Sequence, residues 1–295
     1  MNLICPRCKG ELTLEAPDQF RCEEDALVFR QVDGIWRFLL PERESHYARF
    51  IADYEAVRRF EGRFSADTDY YRALPFQDLS GRFSADWKIR AASFQALMKM
   101  LPPRATILDI GAGNGWLSNQ LTLAGHDAYA VDLLVNAEDG LGAWRNYETK
   151  FTPLQAEFSR LPFPHAFADV VIFNASLHYA ESYEATLREA LRVLHEDGLL
   201  LIMDSPVYHD AGSGEKMITE RKSDFKARYG FASDSIQSEG FLTYDRMEKL
   251  GCDLSLRWRH VVPFYGWKWA LRPLWARLRG GREPAQFGLW LGVRR

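Results

Sequence analysis

The sequence predicts an α/β chain: a doubly wound, mostly parallel, seven-stranded sheet with a small N-terminal β ribbon in front. Three stretches carry that prediction. Residues 106–110 (TILDI) form a short, apolar, β-branched run, followed at once by glycines at 111, 113 and 115. That is a strand, a tight turn and a helix start, where glycine supplies positive φ and lets a ligand approach main-chain N–H groups. A second strand, 128–131, ends in Asp132, at the separation where nucleotide-binding folds hold a ribose diol. Residues 168–173 (ADVVIF) are apolar enough for a central strand covered on both faces.

With 295 residues and 47% hydrophobic content, the chain has room for one large α/β domain plus something small. A net charge of −3 argues against an overall polyanion binder and leaves room for a local basic patch. No stretch reaches the roughly 18 consecutive apolar residues of a membrane span, and the first ten residues hold no signal-peptide core, so the expected location is cytoplasmic. Three of the four cysteines crowd near the N-terminus, which favours reduced thiols or a metal knuckle over a secreted disulfide scaffold.

In chain order, residues 1–41 read as the ribbon. Cys5 and Cys8 form a C-x2-C knuckle with Gly10 behind it, Cys22 follows a strand-like stretch, and 32–40 closes a small β unit. Tetrahedral zinc needs four ligands, and Asp25 stands where a fourth cysteine would complete the set. The alternatives are a Cys3Asp zinc site and a metal-free ribbon held by its own core. Cys252 is expected to be a buried small hydrophobe. Residues 42–85 read as a helical linker or cap, helical over 46–60, lying over the ligand-binding end of the sheet. The third unit, 86–295, opens with a helix over 87–101 that stops before Pro102-Pro103.

The glycine spacing is G-x-G-x-G with bulky Trp116 next, unlike a dinucleotide fingerprint. Asp109, at the strand end, would repel a pyrophosphate and suit an ammonium group. The stretch resembles motif I of the class I S-adenosylmethionine (SAM) dependent methyltransferases, of the type 11 kind. The resemblance implies that Asp109, Gly111, Ala112, Gly113, Asn114 and Gly115 hold the methionyl part of SAM. It further implies that Asp132 and Leu133 meet the ribose, and that Trp87 and Arg90 are candidates for the SAM carboxylate. The LQAEFSRLPF stretch is similar to the family's adenine segment, with Glu157 on the acid position and Phe158 beside the ring. Glu replaces the more usual Asp there.

The fourth strand runs out into Asn174, His178 and Tyr179, candidate catalytic residues with Asn174 also a candidate cofactor contact, on the side of the sheet where such folds bind ligands. His178 is a candidate base for an O or N nucleophile, or else a structural hydrogen bonder at a loop start. A helix from 182 or 183 to 194 and a strand over 199–203 follow, resembling the family's helix–turn–strand segment. Residues 209–243 are a polar insertion with a helix over 214–229, of the kind that covers substrates. A helix over 242–250 and strands over 254–262 and 287–293 complete the sheet.

Together these features imply methyl transfer from SAM to an O, N or C nucleophile of a small-molecule or lipid-like acceptor. The ribbon also resembles that of the bacterial large-subunit rRNA guanine methyltransferases, which keeps RNA as the rival acceptor. A SAM-binding module without catalysis is the second alternative. The stretch 257–282 carries seven Lys/Arg and six Trp, Tyr or Phe side chains and no acid. It is expected to cover the acceptor site and touch a membrane surface or a lipid-like substrate, the former making the protein peripheral to the membrane; the alternatives are stacking on RNA and a helix packed on the sheet with solvated arginines.

Overall fold

The computed structural model describes residues 2–232 and 235–295. Its first unit is a run of short strands, β1 (Thr13–Ala16), β2 (Gln19–Cys22), β3 (Leu27–Val32) and β4 (Ile35–Arg37). Two helices follow, α1 (Pro41–Glu61) and α2 (Thr68–Ala73), and then α3 (Ser84–Met98). The larger unit runs β5 (Thr106–Ile110), α4 (Trp116–Leu123), β6 (Asp127–Asp132), β7 (Thr152–Gln155), β8 (Ala168–Asn174), α5 (Tyr183–Val193) and β9 (Leu194–Met203). After it come a two-residue strand β10 (Val207–Tyr208), α6 (Ala211–Tyr229), β11 (Leu242–Thr243), α7 (Tyr244–Asp253), β12 (Leu256–Val261), α8 (Trp267–Ala270), α9 (Arg272–Leu278) and β13 (Leu289–Arg294).

Among the described residues, eleven strands form one sheet in the order β1-β2-β3-β4-β7-β6-β5-β8-β9-β13-β12. The last seven are the expected doubly wound sheet. β5, β6, β7, β8 and β9 pair parallel with one another, and β13 runs antiparallel to both β9 and β12. The ribbon is joined to this sheet, since β4 pairs parallel with β7, with Trp36 opposite Leu154.

Alternate residues of the central strands feed two layers, as the period of two requires. Leu108, Ile110, Val171 and Phe173 share a core with Leu187 and Ala190 of α5, Met247 and Leu250 of α7, and ribbon residues Phe20, Phe29 and Phe38. Ile107, Val170, Ile172 and Leu201 face the other way, onto Phe94 and Leu97 of α3 and Leu117 and Leu121 of α4. Each such Val, Leu, Ile, Phe or Met side chain contributes about 1.5–3 kcal/mol on burial. The ribbon therefore has no separate core.

Local signals set the helix ends. Pro41 opens α1, and Gly62 closes it in the left-handed region at φ 69°. Ser182 Oγ accepts from the Ala185 N–H at the start of α5, and Asp210 accepts from the Gly212 and Ser213 N–H groups at the start of α6. Two expectations change. The segment predicted as one helix from 242 begins as strand β11, paired with β10, before Thr243 caps α7. Cys252 is exposed, because it lies on the outward face of amphipathic α7, whose buried residues are Met247, Leu250 and Gly251.

Candidate active site

The turn after β5 is forced to be glycine-rich by its neighbours. Gly111 has φ 77°, and a Cβ there would stand 2.2 Å from the Ser176 Cβ. At Gly115 (φ 78°) a Cβ would meet the Phe151 ring at 2.6 Å. Gly113 (φ 55°) is different, with nothing nearer than 3.7 Å to its Cβ position. The neighbour at 3.7 Å is the Asp139 carbonyl oxygen, at ordinary van der Waals distance. The turn is tied to the next two strands: Gly113 N donates to Asp132 Oδ2 at 2.8 Å, Leu134 N to Asp132 Oδ1 at 2.8 Å, and Ser176 Oγ to the Ile110 carbonyl at 2.5 Å.

This turn forms one wall of a cleft with about 1250 Å³ of empty space, its open mouth included. Gly111, Ala112, Gly113, Asn114, Asp132, Leu133, Phe158 and Asn174 all line it. They come from the carboxyl ends of β5, β6 and β8 and from the loop after β7, the ligand side of a doubly wound sheet. Trp87 and Arg90 of α3 line it too, with the Arg90 guanidinium 5.3 Å from the Trp87 ring centroid. The opposite wall is α1, which presents Tyr47, Phe50, Tyr54 and Arg58 along one face. Phe50 and Tyr54 each pack about 6 Å from Tyr179. These α1 residues went unnamed in the sequence reading, although their spacing of three, four and four is a helical stripe.

Four predicted residues stand behind the cleft surface. Asp109 is fully buried under the turn, accepting from Ser118 Oγ at 2.8 Å, while its Oδ1 has no partner. Gly115 packs on Phe151. Glu157 is held by Arg43 Nε at 3.0 Å and by the Tyr47 hydroxyl at 2.9 Å. His178 is buried, with Nδ1 3.4 Å from Ser205 Oγ.

Burial dominates the electrostatics. It raises the Asp109 carboxyl to about 7, Ser118 opposing and the Asp132 charge adding to it. Asp132 rises to about 6 by burial, against three backbone N–H groups that favour its ionised form. His178 moves the other way, down to about 3, through burial and the charges of Arg221 and Arg90. Two carboxylates that resist ionisation when alone are matched to a cationic ligand, which would supply the missing counter-charge. Backbone strain collects at the same place: Ala175 (φ 52°) and Asp204 (φ 53°) are left-handed non-glycine residues just past the ends of β8 and β9.

SAM fits these residues by two observations. Gly113 lines the cleft at φ 55° with nothing nearer than 3.7 Å to its Cβ position, and buried Asn174, which also lines the cleft, has an Oδ1 without a hydrogen-bond partner. Gly111 to Asn114, Asp132, Leu133, Phe158 and Asn174 would hold it.

At the far end of the sheet, Cys5, Cys8, Cys22 and Asp25 bring one ligand atom each to within 4.8 Å of one another. Cys5 Sγ lies 3.1 Å from Asp25 Oδ2, and Cys8 Sγ 3.5 Å from Cys22 Sγ. Backbone N–H groups of Gly10 and Asp25 donate to the sulfurs of Cys8 and Cys22, the kind of support that thiolate ligands receive. Without a cation, burial pushes the Cys5 thiol up to about 11. Three sulfurs and a carboxylate oxygen are a donor set that zinc accepts.

Comparison with known proteins matches residues 108–202 to a family described as "Methyltransferase domain". Two probable SAM-dependent methyltransferases of Mycobacterium tuberculosis, from strains CDC 1551 / Oshkosh and H37Rv, are each 28% identical over 111 residues, 37% of this chain. The match spans 39% of the length of each relative. Among solved structures, the YcgJ protein of Bacillus subtilis aligns over 70% of this chain and 99% of its own, with TM-score 0.52 and 15% identity. A chain from the complex between the Haloferax volcanii Trm112 methyltransferase activator and a putative methyltransferase aligns over 78% and 99%, with TM-score 0.50 and 15% identity. At these identities the structures support the fold, a Rossmann-like class I methyltransferase fold.

Proposed function

We propose, from the premise that this chain carries a class I methyltransferase domain, that it is a SAM-dependent methyltransferase acting on a small-molecule or lipid-like acceptor. One observation carries the reading: the Gly111–Asn114 turn and Asp132, on consecutive strands, open into a single cleft whose opposite wall is aromatic. When bound, SAM supplies an electrophilic methyl on a sulfonium. The protein's part is alignment and exclusion of water.

Asp132 would accept from the ribose hydroxyls while Gly113 N and Leu134 N fix its carboxylate. Phe158 would lie against the adenine, with Ser159 beside it in the lining. Arg90, over the Trp87 ring in the cleft lining, would meet an anionic group, the SAM carboxylate or an acid on the acceptor. Phe50, Tyr54 and Tyr179 favour a flat or apolar acceptor body. Asn174 Oδ1 would accept a hydrogen bond from the attacking O–H or N–H and orient it.

The same reading gives Cys5, Cys8, Cys22 and Asp25 a structural zinc ion remote from the chemistry. Calorimetry of SAM binding tests the core of the proposal. Asp132→Ala removes a charged acceptor of a kind worth roughly 1.5–3 kcal/mol, so affinity should fall about tenfold or more. Unchanged affinity would remove it.

A further inference from the structure

The segment between β12 and β13 has two faces, and only one is used by the fold. Val261 pairs with Leu289, which pairs with Met203 at the carboxyl end of β9, so the connection emerges on the cleft side of the sheet. Its inner face is anchored. Trp269 stacks on Phe287 at 5.2 Å, the Arg272 guanidinium lies 3.2 Å from the Trp269 ring centroid, and the Tyr265 hydroxyl lies 2.9 Å from Ser93 Oγ of α3. Arg282 closes the segment on Glu220 of α6 at 2.7 Å.

The outer face is apolar and bare. Trp267, Leu271, Trp275 and Leu278 recur at steps of four, four and three along α8 and α9, one stripe of a helix, with exposures of 75%, 43%, 54% and 71%. Leu274, Phe264 and Val262 extend it, each more than half exposed. A contiguous patch of this kind is unlike scattered surface leucines and marks an interaction surface. Lys268 and Arg279 border the same shallow hollow as Trp267, Leu271 and Trp275, and no acid occurs between Asp253 and Glu283.

We propose that this face seats the protein on an anionic lipid bilayer. The stripe would lie in the headgroup region, Trp and Leu inward to the acyl boundary and Lys268 and Arg279 on lipid phosphates. Leu271, Leu274, Leu278 and Val262 alternate with the aromatics and offer a base nothing to stack on, which favours a lipid surface over RNA. A second copy of the same face would bring cation against cation. No helix among the described residues is long and apolar enough to cross a membrane, so the contact is a surface one. It stands independently of the methyl-transfer reading.

The test is flotation of the full chain with vesicles of equimolar phosphatidylglycerol and phosphatidylcholine, and of phosphatidylcholine alone, at physiological and about tenfold higher salt. Binding should favour the anionic vesicles and keep a salt-resistant share. Trp267→Ala with Leu278→Ala should lower that share about tenfold or more, and Lys268→Glu with Arg279→Glu should remove the anionic preference. All four side chains are on the outside, so circular dichroism and SAM affinity should not change. Four results would overturn the proposal: no flotation, flotation indifferent to the Trp267/Leu278 change, steeply salt-dependent binding to an RNA hairpin without flotation, or a dimer that the change dissolves without flotation. SAM calorimetry on the same variants separates this outcome from failure of the catalytic reading.

Discussion

Arg43 and Glu157 form an ion pair across 114 residues, 3.0 Å from Nε to Oε2, with the Glu157 carboxylate almost wholly buried. It fastens α1 to the loop after β7, and the Tyr47 hydroxyl adds a second hydrogen bond to the same oxygen. The acid expected to meet adenine is thus occupied in holding down the helix that forms the far wall of the cleft.

Glu157→Ala should accordingly act first on stability. Removing one member of a buried pair costs about 3–5 kcal/mol, and the lower end applies because Arg43 also reaches Glu181 at 2.8 Å. Urea unfolding should show that loss. Glu157→Gln, which keeps an acceptor for Tyr47, should recover part of it.

The raised carboxyl of Asp109 gives a signed pH dependence. Its folded pKa of about 7 exceeds the unfolded value of 3.8, so the native state holds the proton longer. The stabilising contribution is complete below about pH 4 and is lost as pH rises through 7. Relative to Asp109→Asn, the SAM-free protein should lose on the order of 3–4 kcal/mol between those limits. Chemical denaturation of both proteins at pH 4.5 and pH 8, design points on either side of about pH 6, measures the difference. A constant difference would mean that Asp109 ionises normally.

His178 should leave no titration near neutrality in the rate profile. Held down to about 3, its imidazole is neutral throughout the working range and accepts a proton only uphill. His178→Gln is expected to retain turnover within about tenfold. A loss of about 100-fold with SAM affinity intact would restore it as the base.

One zinc per chain is expected by elemental analysis. Because the ribbon and the sheet share one core, chelation should lower a single melting transition, not create a second one. Asp25→Ala should weaken zinc binding and leave Cys5, Cys8 and Cys22 as ligands. Protein purified without chelator that contains no stoichiometric metal would leave a ribbon held by packing alone.

What could be read from the sequence was local. The β5 turn, Asp132, the covered strand β8 and the cysteine–aspartate knuckle each depend on residues within about two dozen positions, and their periodicity or glycine content expresses that directly. Trp87 and Arg90 were named through the family resemblance of the helix that precedes β5. Tyr47, Phe50, Tyr54 and Arg58 were missed because a stripe of mixed aromatic and charged residues does not say what it faces. Glu157 and His178 stand behind the cleft surface, and their side chains answer to Arg43 and Ser205, distant partners that no local pattern encodes.

The junction of β4 with β7 has a consequence for how the chain withstands crowding. In a bare seven-stranded sheet β7 would be a rim strand, offering unpaired N–H and C=O groups to any passing strand. Here that rim is sealed from within the same polypeptide, and the termini of the enlarged sheet are of a safer kind. β1 is four residues long and mostly solvated, and β12 bears Arg257 and Arg259. A chain cut at residue 42 would keep every residue that lines the cleft and still be expected to self-associate through β7, so the first 41 residues serve as its guard against aggregation.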